Sequence, residues 1–335
     1  MLAAPTRKND FAMDQEVAPP VDAAASLGSP QPAERGRRLL PEGLKLPTVR
    51  QAFDAAWPPF AGLAAFVALW ALLAPQVETS LGALPGPGDV WRAFVGLMAE
   101  YSATRAEIAA TEAAGGTWSG APTFIDQIFT SLKTVGMGFV LASLVAVPLG
   151  LVAGMSKRFN AAINPLVQVM RPISPLAWLP IVTMVVSASI SGEDPTLPKS
   201  FVISAVVVML CSLWPTLINT AIGTAGIDKD LIAVGRVLKL TWVQRLTKLV
   251  LPSALPFIFT GMRLSLGVGW MVLIAAEMLS QNPGLGKFVW DEFQNGNEQS
   301  LARIMVAVVT IGLIGFALDR IMMALQAFAS RNRTI

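Results

Sequence analysis

Residues 200–227 read SFVISAVVVMLCSLWPTLINTAIGTAGI and contain no charged side chain. Residues 228–256 follow directly as DKDLIAVGRVLKLTWVQRLTKLVLPSALP, with five basic and two acidic side chains. A helix needs about 20 apolar residues to cross a hydrocarbon core roughly 30 Å thick, so the first stretch predicts a membrane span. The second has apolar residues at helical spacing and predicts a positively charged amphipathic loop at the end of that span.

The composition of the whole chain supports a membrane protein. Of its 335 residues, 53% are hydrophobic and 14% are charged, and the mean hydropathy is +0.57, whereas soluble proteins carry about 25% charged residues. The chain has no His and one Cys, Cys211, so a Ser-His-Asp triad, a His-ligated zinc site and a disulfide framework are excluded. The sequence therefore predicts an all-α polytopic membrane protein with no catalytic residues and no metal site of its own.

Five other apolar stretches predict further spans, which gives about six in all. They lie between Asp54 and Glu78, between Lys133 and Lys157, from Ile163 to Ser187, from Leu255 to Ala276 and from Leu301 to Leu325. The last stretch spans only if Arg303 and Arg320 extend towards the two membrane faces. In the second span, Gly150 and Gly154 form a G-x-x-x-G pattern that lets another helix approach closely.

The placement of Lys and Arg predicts the orientation. Sixteen of the 25 lie in the N-terminal segment, the loops after spans two and four, and the C-terminal tail, whereas four lie on the opposite side. Loops rich in Lys and Arg stay in the cytoplasm, so both termini are predicted to be cytoplasmic, in a bacterial inner membrane. Because the basic residues are confined to particular loops, no nucleic-acid partner is expected.

The sequence divides into four regions. They are a disordered cytoplasmic tail at 1–50, the first span at 55–77, a periplasmic loop at 78–125, and a core at 126–328 that includes the cytoplasmic loop 228–252. The tail is assigned from its Ala, Pro and Ser content. In the periplasmic loop, Asp89 to Tyr101 has the spacing of an interfacial helix; the alternative for this loop is a passive connector.

The chain has no nucleotide site that its sequence reveals. The nearest approach to a P-loop, Asn282 to Phe288, has Phe288 where the magnesium-binding hydroxyl would stand. Carboxylates within spans are scarce, with Glu277 ending span five and Asp319 late in span six, whereas proton-coupled carriers use central carboxylates or His. We therefore expect a passage that takes its energy from a partner, and not an enzyme.

The loop 228–256 resembles the EAA loop of permease subunits of binding-protein-dependent ABC importers. That pattern is Glu-Ala-Ala, three residues, Gly, then nine residues before Ile-x-Leu-Pro. Aligned on Leu251-Pro252, its positions are filled by Ala233 for Glu, Val234 and Gly235 for the two Ala, Lys239 for Gly and Leu249 for Ile. The Leu-Pro end matches, while the Glu and the Gly are replaced.

Three further segments are similar to the nitrate, sulfonate and bicarbonate branch of these permeases. They are Leu84 to Trp91 (LPGPGDVW), Arg171 to Pro180 (RPISPLAWLP) and Ala276 to Trp290 (AEMLSQNPGLGKFVW). The last of them, with Phe293 to Gly296 after it, looks like nitrate-transport permeases in particular. The resemblance covers roughly residues 80–328.

The resemblance implies a type I ABC importer permease fold that works as a homodimer. Each copy would dock on an ATPase subunit, which binds the ATP and Mg²⁺, and would receive solute from a periplasmic substrate-binding protein. Coupling to the ATPase is assigned to Ala233, Gly235, Lys239, Leu240, Thr241, Trp242, Leu251, Pro252 and Pro256. Pro252 and Pro256 are expected to cap the loop and fix the start of span five. The alternative is that the loop lies on the bilayer lipid.

The charged side chains near or within spans are candidates for a substrate pathway, because such charges are costly and are usually functional. They are Lys133, Arg171, Arg263 and Glu277. For Lys133, extension to the membrane face is the alternative. Arg171 and Arg263 could instead pair with Asp126, Glu277 or a backbone carbonyl.

The predicted function is import of a small oxyanion, with nitrate as the first candidate. Bicarbonate, cyanate, and taurine or another aliphatic sulfonate are alternatives within the same class. A stand-alone secondary carrier and a membrane anchor for partner proteins are the alternatives from other classes.

Overall fold

A computed structural model describes residues 49–79, 82–190, 197–297 and 299–331. Nearly all of these residues are helical. By its internal contacts the chain forms two units, residues 1–58 and 59–335. The predicted disordered tail, residues 1–50, lies outside the described residues apart from Val49 and Arg50, which begin the first helix.

The described ranges contain eleven α-helices. They are α1 (Val49–Leu73), α2 (Pro87–Ala113), α3 (Phe124–Met155), α4 (Lys157–Met170), α5 (Pro175–Ser189), α6 (Lys199–Ala225), α7 (Lys229–Val237), α8 (Trp242–Arg245), α9 (Leu251–Ser280), α10 (Leu285–Asn295) and α11 (Ser300–Arg331). A 3-10 turn, Ala74–Gln76, follows α1, and a π-helical turn, Leu246–Val250, joins α8 to α9. Strands β1 (Glu78–Thr79) and β2 (Gly82–Ala83) form an antiparallel pair.

Five helical stretches of the described chain are long and apolar enough to cross a membrane. They are Trp57–Gln76, Phe124–Met155, Lys199–Ala225, Trp242–Ser280 and Ser300–Ala329, and the bent pair α4–α5 makes a sixth if it counts as one span. The prediction of an all-α polytopic protein with about six spans is thereby confirmed. The sixth predicted span lies within a helical stretch of 30 residues, because α11 continues past both Arg303 and Arg320.

The predicted third span, Ile163 to Ser187, is not one straight helix, because α4 and α5 meet at 101°. Pro172 and Pro175 lie at the break, and they lack the amide hydrogens that a continuous helix requires. The residue before a proline prefers an extended backbone, and Ser174 has a ψ of 140°. Its Oγ then caps α5 by accepting from the Leu176 amide at 3.3 Å. The predicted third span is thus two helices, α4 and α5, and not one straight helix.

The helix predicted in the loop after α1 is present and longer than predicted. It runs over 27 residues as α2, in place of Asp89 to Tyr101. Asp89 stabilises its start, because its Oδ2 accepts from the Gly86 amide at 3.0 Å, and a carboxylate is favoured at the positive end of a helix.

Helix α6 lies at the centre of the second unit, with α3 and α9 packed along it. Its buried hydroxyl side chains recur every four residues over the second half: Ser212, Thr216, Thr220 and Thr224. In a membrane the lipid tails are as apolar as the side chains, so helices associate through close packing of small residues and through hydrogen bonds. In the contacts of α6 with its neighbours, this row supplies the small side chains that α6 contributes.

Glycines of α3 allow its close approach to α6. A Cβ atom on Gly150 would lie 2.6 Å from Thr220 Cβ and 2.8 Å from the Leu217 carbonyl oxygen. A Cβ on Gly154 would likewise clash with Thr224. The G-x-x-x-G pattern therefore serves packing between two helices of the same chain.

A serine of α9 completes the other interface of α6. The Ser265 Oγ accepts from the Thr216 amide at 3.1 Å and donates to the Ser212 carbonyl. These two backbone groups lie on either side of Pro215, which cannot donate to the helical ladder. The hydroxyl of α9 thus satisfies backbone groups of α6 at the point where a proline weakens that helix.

Substitution of Gly150 tests the contact between α3 and α6. We expect Gly150→Ala to lower the free energy of unfolding by about 1–3 kcal/mol, because overpacking forces the helices apart. Gly136→Ala is the matched control, since a Cβ at Gly136 meets no atom within 4 Å among the described residues. The measurement is the thermal unfolding midpoint of each purified variant in detergent. Equal midpoints would contradict the packing described here.

Candidate functional site

Helices α7 and α8 form a hairpin, residues 228–245, between α6 and α9. Asp228 caps the start of α7, because its Oδ1 accepts a hydrogen bond from the Asp230 amide at 2.9 Å. Thr241 caps the start of α8 in a capping box. Its Oγ1 accepts a hydrogen bond from the Gln244 amide at 3.4 Å, and Gln244 Oε1 accepts one from the Thr241 amide at 3.0 Å. These caps satisfy amides that the first turn of a helix leaves free, so the hairpin has a defined shape.

The turn between the two helices is a Schellman motif. The Leu240 amide donates to the Gly235 carbonyl at 3.1 Å and the Lys239 amide to the Arg236 carbonyl at 3.0 Å. Lys239 takes a φ of 49°, which is the left-handed conformation that glycine adopts most readily. The sequence alignment placed the glycine of the EAA pattern at this residue, and the backbone gives the physical reason for a glycine there.

Four large apolar side chains at the end of this hairpin are exposed. They are Val237, Leu238, Trp242 and Val243, which we call the hairpin tip. The exposed fractions of Val237 and Trp242 are 80% and 61%. Exposed large apolar side chains of this kind suit contact either with a partner protein or with the bilayer surface.

The hairpin is joined tightly to α9. Gly235 is buried, and a Cβ atom there would lie 2.7 Å from Leu249 Cδ1, so the glycine lets α7 rest on the π-helical turn. Val250 at the end of this turn packs with Leu151 of α3 and Ala254 of α9. The turn is therefore part of the packed core and not a free hinge.

Pro252 lies at the start of span five as predicted, whereas the predicted cap at Pro256 needs correction. Helix α9 begins at Leu251, with Pro252 in its first turn and Pro256 inside it, and one helical stretch runs from Trp242 to Ser280. A proline is tolerated in the first turn of a helix, because the amide hydrogen that it lacks would have no acceptor within that helix. The π-helical turn shifts the hydrogen-bond register just before Pro252, so the chain continues as a helix. Ala233, the remaining predicted coupling residue, is exposed on α7.

Arg171 lies at the break between α4 and α5, with its side chain exposed. It lines a cavity of about 570 Å³ together with Asn164, Gln168 and Ile218. None of the carboxylates within the described ranges forms an ion pair with its guanidinium. The sequence had suggested Asp126 or Glu277 as a partner, but Asp126 pairs with Arg105.

Arg263 has a carboxylate partner that the sequence analysis did not assign. Its Nε donates to Asp319 Oδ1 at 2.5 Å and its Nη2 to Asp319 Oδ2 at 3.0 Å. This two-pronged geometry is the strongest form of an arginine–carboxylate contact, and it joins α9 to α11. The pair neutralises the charge of Arg263, so the predicted pairing with Asp126 or Glu277 is replaced by one with Asp319.

Glu277 is fully buried and ties the far end of α9 to α3. Its carboxylate accepts from Ser131 Oγ, at 2.9 and 2.8 Å, and from the Gly286 amide at 3.0 Å. Ser131 Oγ in turn accepts from the Leu285 amide at 2.9 Å. A buried carboxylate is stable only where hydrogen-bond donors surround it, and here protein groups supply them. Glu277 thus positions the turn into α10.

The four predicted pathway residues do not form one site. Lys133 is exposed on α3, Arg263 is paired and Glu277 is enclosed. Of the three that lie within the bundle, Arg171 alone combines an adjoining cavity with a charge left uncompensated by the described residues.

The glycines of the P-loop-like segment have a packing role. A Cβ atom on Gly284 would collide with the Glu277 carboxylate, and one on Gly286 with the Ile274 carbonyl. Because these glycines have no side chain, Glu277 can pack against them. They do not form a phosphate-binding loop. Within the described ranges, no three His, Cys, Asp or Glu side chains are placed to hold a metal ion.

An ion-pair cluster around Arg303 was not predicted from the sequence. Its Nη1 donates to Glu292 Oε1 at 2.9 Å and its Nη2 to Glu100, so α2, α10 and α11 meet at this side chain. Burial raises the pKa of the Glu292 carboxyl, while a hydrogen bond from Ser300 favours its charged form. Arg303 therefore binds protein carboxylates, where the sequence predicted only an extension to the membrane face.

Comparison with known proteins places the chain in a family. Residues 146–332 match the family described as binding-protein-dependent transport system inner membrane component. The bicarbonate transport system permease protein CmpB of Synechococcus elongatus is 35% identical over 295 residues, which cover 87% of this chain and 95% of that protein. The nitrate import permease protein NrtB of the same species is 37% identical over 195 residues, 58% of this chain and 66% of that one. Among solved structures, a chain of the MetNI methionine ABC transporter aligns with a TM-score of 0.48 and 19% identity, over 60% of this chain and 95% of that one.

The family match spans more than half of the chain, and the similarity to CmpB extends over nearly its whole length. The resemblance inferred from the loop 228–256 and from the segments at 84–91, 171–180 and 276–290 is thereby confirmed. The chain belongs to the family of binding-protein-dependent transport system inner membrane components, the permease subunits of ABC importers.

Proposed function

We propose that this permease imports a small oxyanion, with nitrate as the first candidate. The observation that carries the proposal is the similarity to permeases named for nitrate and for bicarbonate, at 37% and 35% identity. Bicarbonate is the second candidate, because the alignment with CmpB covers 95% of that protein. Both anions are planar, carry one negative charge and present three oxygens, so one path can suit either.

The assembly we propose contains two copies of this chain, ATPase subunits and a periplasmic substrate-binding protein. The hairpin tip docks on the ATPase, since an exposed apolar helical segment fits a groove on a partner. ATP and Mg²⁺ are bound by the ATPase, and this chain binds no cofactor. The hairpin and both termini then lie on the cytoplasmic side of the inner membrane, as the placement of Lys and Arg favours.

The hairpin is suited to transmit movement. Caps at Asp228 and Thr241 fix its helices, and Gly235 holds α7 against Leu249. Because α8 continues into α9 through the π-helical turn, displacement of the tip moves α9 directly. The coupling residues assigned from the sequence then divide into a contacting group at Trp242 and a shaping group that includes Gly235, Lys239 and Thr241.

Of the four candidate pathway residues, we assign only Arg171 to the substrate pathway. We assign Arg263 and Glu277 to helix–helix contacts, because Asp319 and Ser131 respectively bind them. Lys133 is assigned to the membrane face at the start of α3. A single uncompensated guanidinium attracts an anion without binding it so tightly that release becomes slow.

The substrate is tested by reconstitution. The permease with its co-purifying ATPase is placed in proteoliposomes, and binding protein loaded with nitrate, bicarbonate, cyanate or taurine is added. We expect ATP hydrolysis to rise with the nitrate-loaded or the bicarbonate-loaded form. Unloaded binding protein is the control. Failure of an ATPase to co-purify, or stimulation by cyanate or taurine alone, would contradict the proposal.

Truncation of Trp242 tests the docking of the hairpin tip. We expect Trp242→Ala to lower stimulated ATP hydrolysis at least about tenfold, because a central Trp commonly contributes 2 kcal/mol or more to an interface. Trp91→Ala on α2 is the matched control, since its side chain is similarly exposed. Both variants should unfold at the wild-type temperature. Equal hydrolysis by the two variants would show that the tip does not dock.

The left-handed residue of the turn offers a second test of the hairpin. We expect Lys239→Gly to raise the free energy of unfolding by about 1 kcal/mol and to preserve stimulated ATP hydrolysis, because glycine removes the cost of that conformation. Lys239→Val should lower both, since a β-branched residue fits this backbone poorly. Thermal unfolding and ATP hydrolysis are measured side by side. A loss of hydrolysis in Lys239→Gly would instead assign the lysine charge itself to coupling.

A further inference from the structure

Helix α4 carries a row of polar side chains on one side. Asn160, Asn164 and Gln168 are spaced four residues apart, and Arg171 follows three residues later, so all four lie within one face of the helix. All four are exposed, and none of their side chains has a hydrogen-bond or ion-pair partner among the described residues. We call them the α4 polar stripe.

The stripe lies between a packed side and an apolar side of the same helix. Ile163 and Val167 pack with α3 and α6 in a hydrophobic cluster. Leu166 and Val169 are 52% and 61% exposed, and suit contact with lipid. Exposed amides and a guanidinium do not, because lipid offers them no hydrogen bonds. The stripe is thus expected to face water.

The stripe leads from one end of the bundle towards its middle. From Asn160 to Arg171 the helix rises about 16 Å. Ile218, which lines the same cavity as Arg171, stands seven residues before the end of α6, or about 10 Å along that helix. Measured along α6, Arg171 therefore lies at a depth of about 10 Å from the end of the bundle where α6 leads into the hairpin.

The charges on the stripe's own helix favour an anion. Helix α4 contains Lys157 and Arg158 and no acidic side chain, and Arg171 follows it directly. Arg263 and Arg303, by contrast, each bind a carboxylate of the protein. Amide N–H and guanidinium N–H groups are hydrogen-bond donors that suit oxyanion oxygens.

We propose that the α4 polar stripe lines the water-filled path by which the transported monovalent oxyanion leaves the permease. Arg171 stands at the deep end and selects for negative charge, and Asn160, Asn164 and Gln168 offer neutral hydrogen bonds along the way. The proposal rests on the proposed function for the identity of the passing ion. Access to water and preference for anions are properties of this chain that can be measured without transport.

The test uses single cysteines in the full-length permease in nanodiscs. Cys211 is first replaced by Ser, since it is the only cysteine of the chain. Asn164→Cys and Gln168→Cys place a thiol on the stripe, while Leu166→Cys and Val169→Cys are matched controls on the apolar side of the same helix. Each is treated with an anionic sulfonatoethyl methanethiosulfonate and with its cationic trimethylammonium counterpart, and each rate is divided by that of a free thiol.

We expect both stripe cysteines to react and both control cysteines to stay nearly unmodified. The normalised rates should favour the anionic reagent about tenfold, through the nearby charge of Arg171. Arg171→Gln should remove that preference without closing access, and added nitrate or bicarbonate should slow the anionic reagent. These results would support the path.

Stripe cysteines that are as unreactive as Leu166→Cys would overturn the proposal, since a second copy of the chain or another protein segment would then cover the stripe. Equal rates for the two reagents would overturn the role of Arg171. Because labelling requires neither ATPase nor binding protein, a failure of the reconstitution assay with all anions would count against the proposed function alone.

Discussion

Close packing of α6 against α3 and α9 is the constraint on which the remaining structure depends. Lipid provides no hydrophobic drive to bring these helices together, so the contact relies on side chains small enough for the backbones to meet. Gly150 and Thr220 supply this on one side, and the Ser265 hydroxyl joins the α6 backbone beside Pro215 on the other. With α6 fixed in this way, the hairpin at its end has a fixed starting point.

Helix α9 connects the two ends of the molecule. At one end the π-helical turn joins it to the hairpin, and Val250 packs against Leu151 of α3. At the other end Glu277 is held by Ser131 of α3. The hairpin and α9 are thus joined without a loose segment between them, as the proposed coupling to an ATPase requires. This mechanical continuity is what an importer driven from one side of the membrane requires.

The sequence predicted the features that depend on local composition. Long charge-free runs gave the number of spans, and helical spacing indicated the amphipathic loop at 228–256. It did not predict contacts between distant residues, such as Arg263 with Asp319, 56 positions apart, or Glu277 with Ser131, 146 apart, because charge and spacing do not say which helices are neighbours. The bend at Arg171 was missed for another reason: an apolar run shows that a segment can enter the membrane, whereas Pro172 and Pro175 act on individual backbone hydrogen bonds within it.

The treatment of arginines links this fold to selection of an anion. A guanidinium inside a membrane protein is costly unless it is paired or reaches water, and Arg263 and Arg303 are paired with protein carboxylates. These ion pairs neutralise both side chains, so neither is left as a free positive charge. In the path that we propose, Arg171 is the uncompensated guanidinium beside neutral amides. One attractive point is sufficient to exclude cations, and further uncompensated charges would deepen the binding and slow release. On that proposal, the pairing of Arg263 and Arg303 is as much a part of selectivity as the exposure of Arg171.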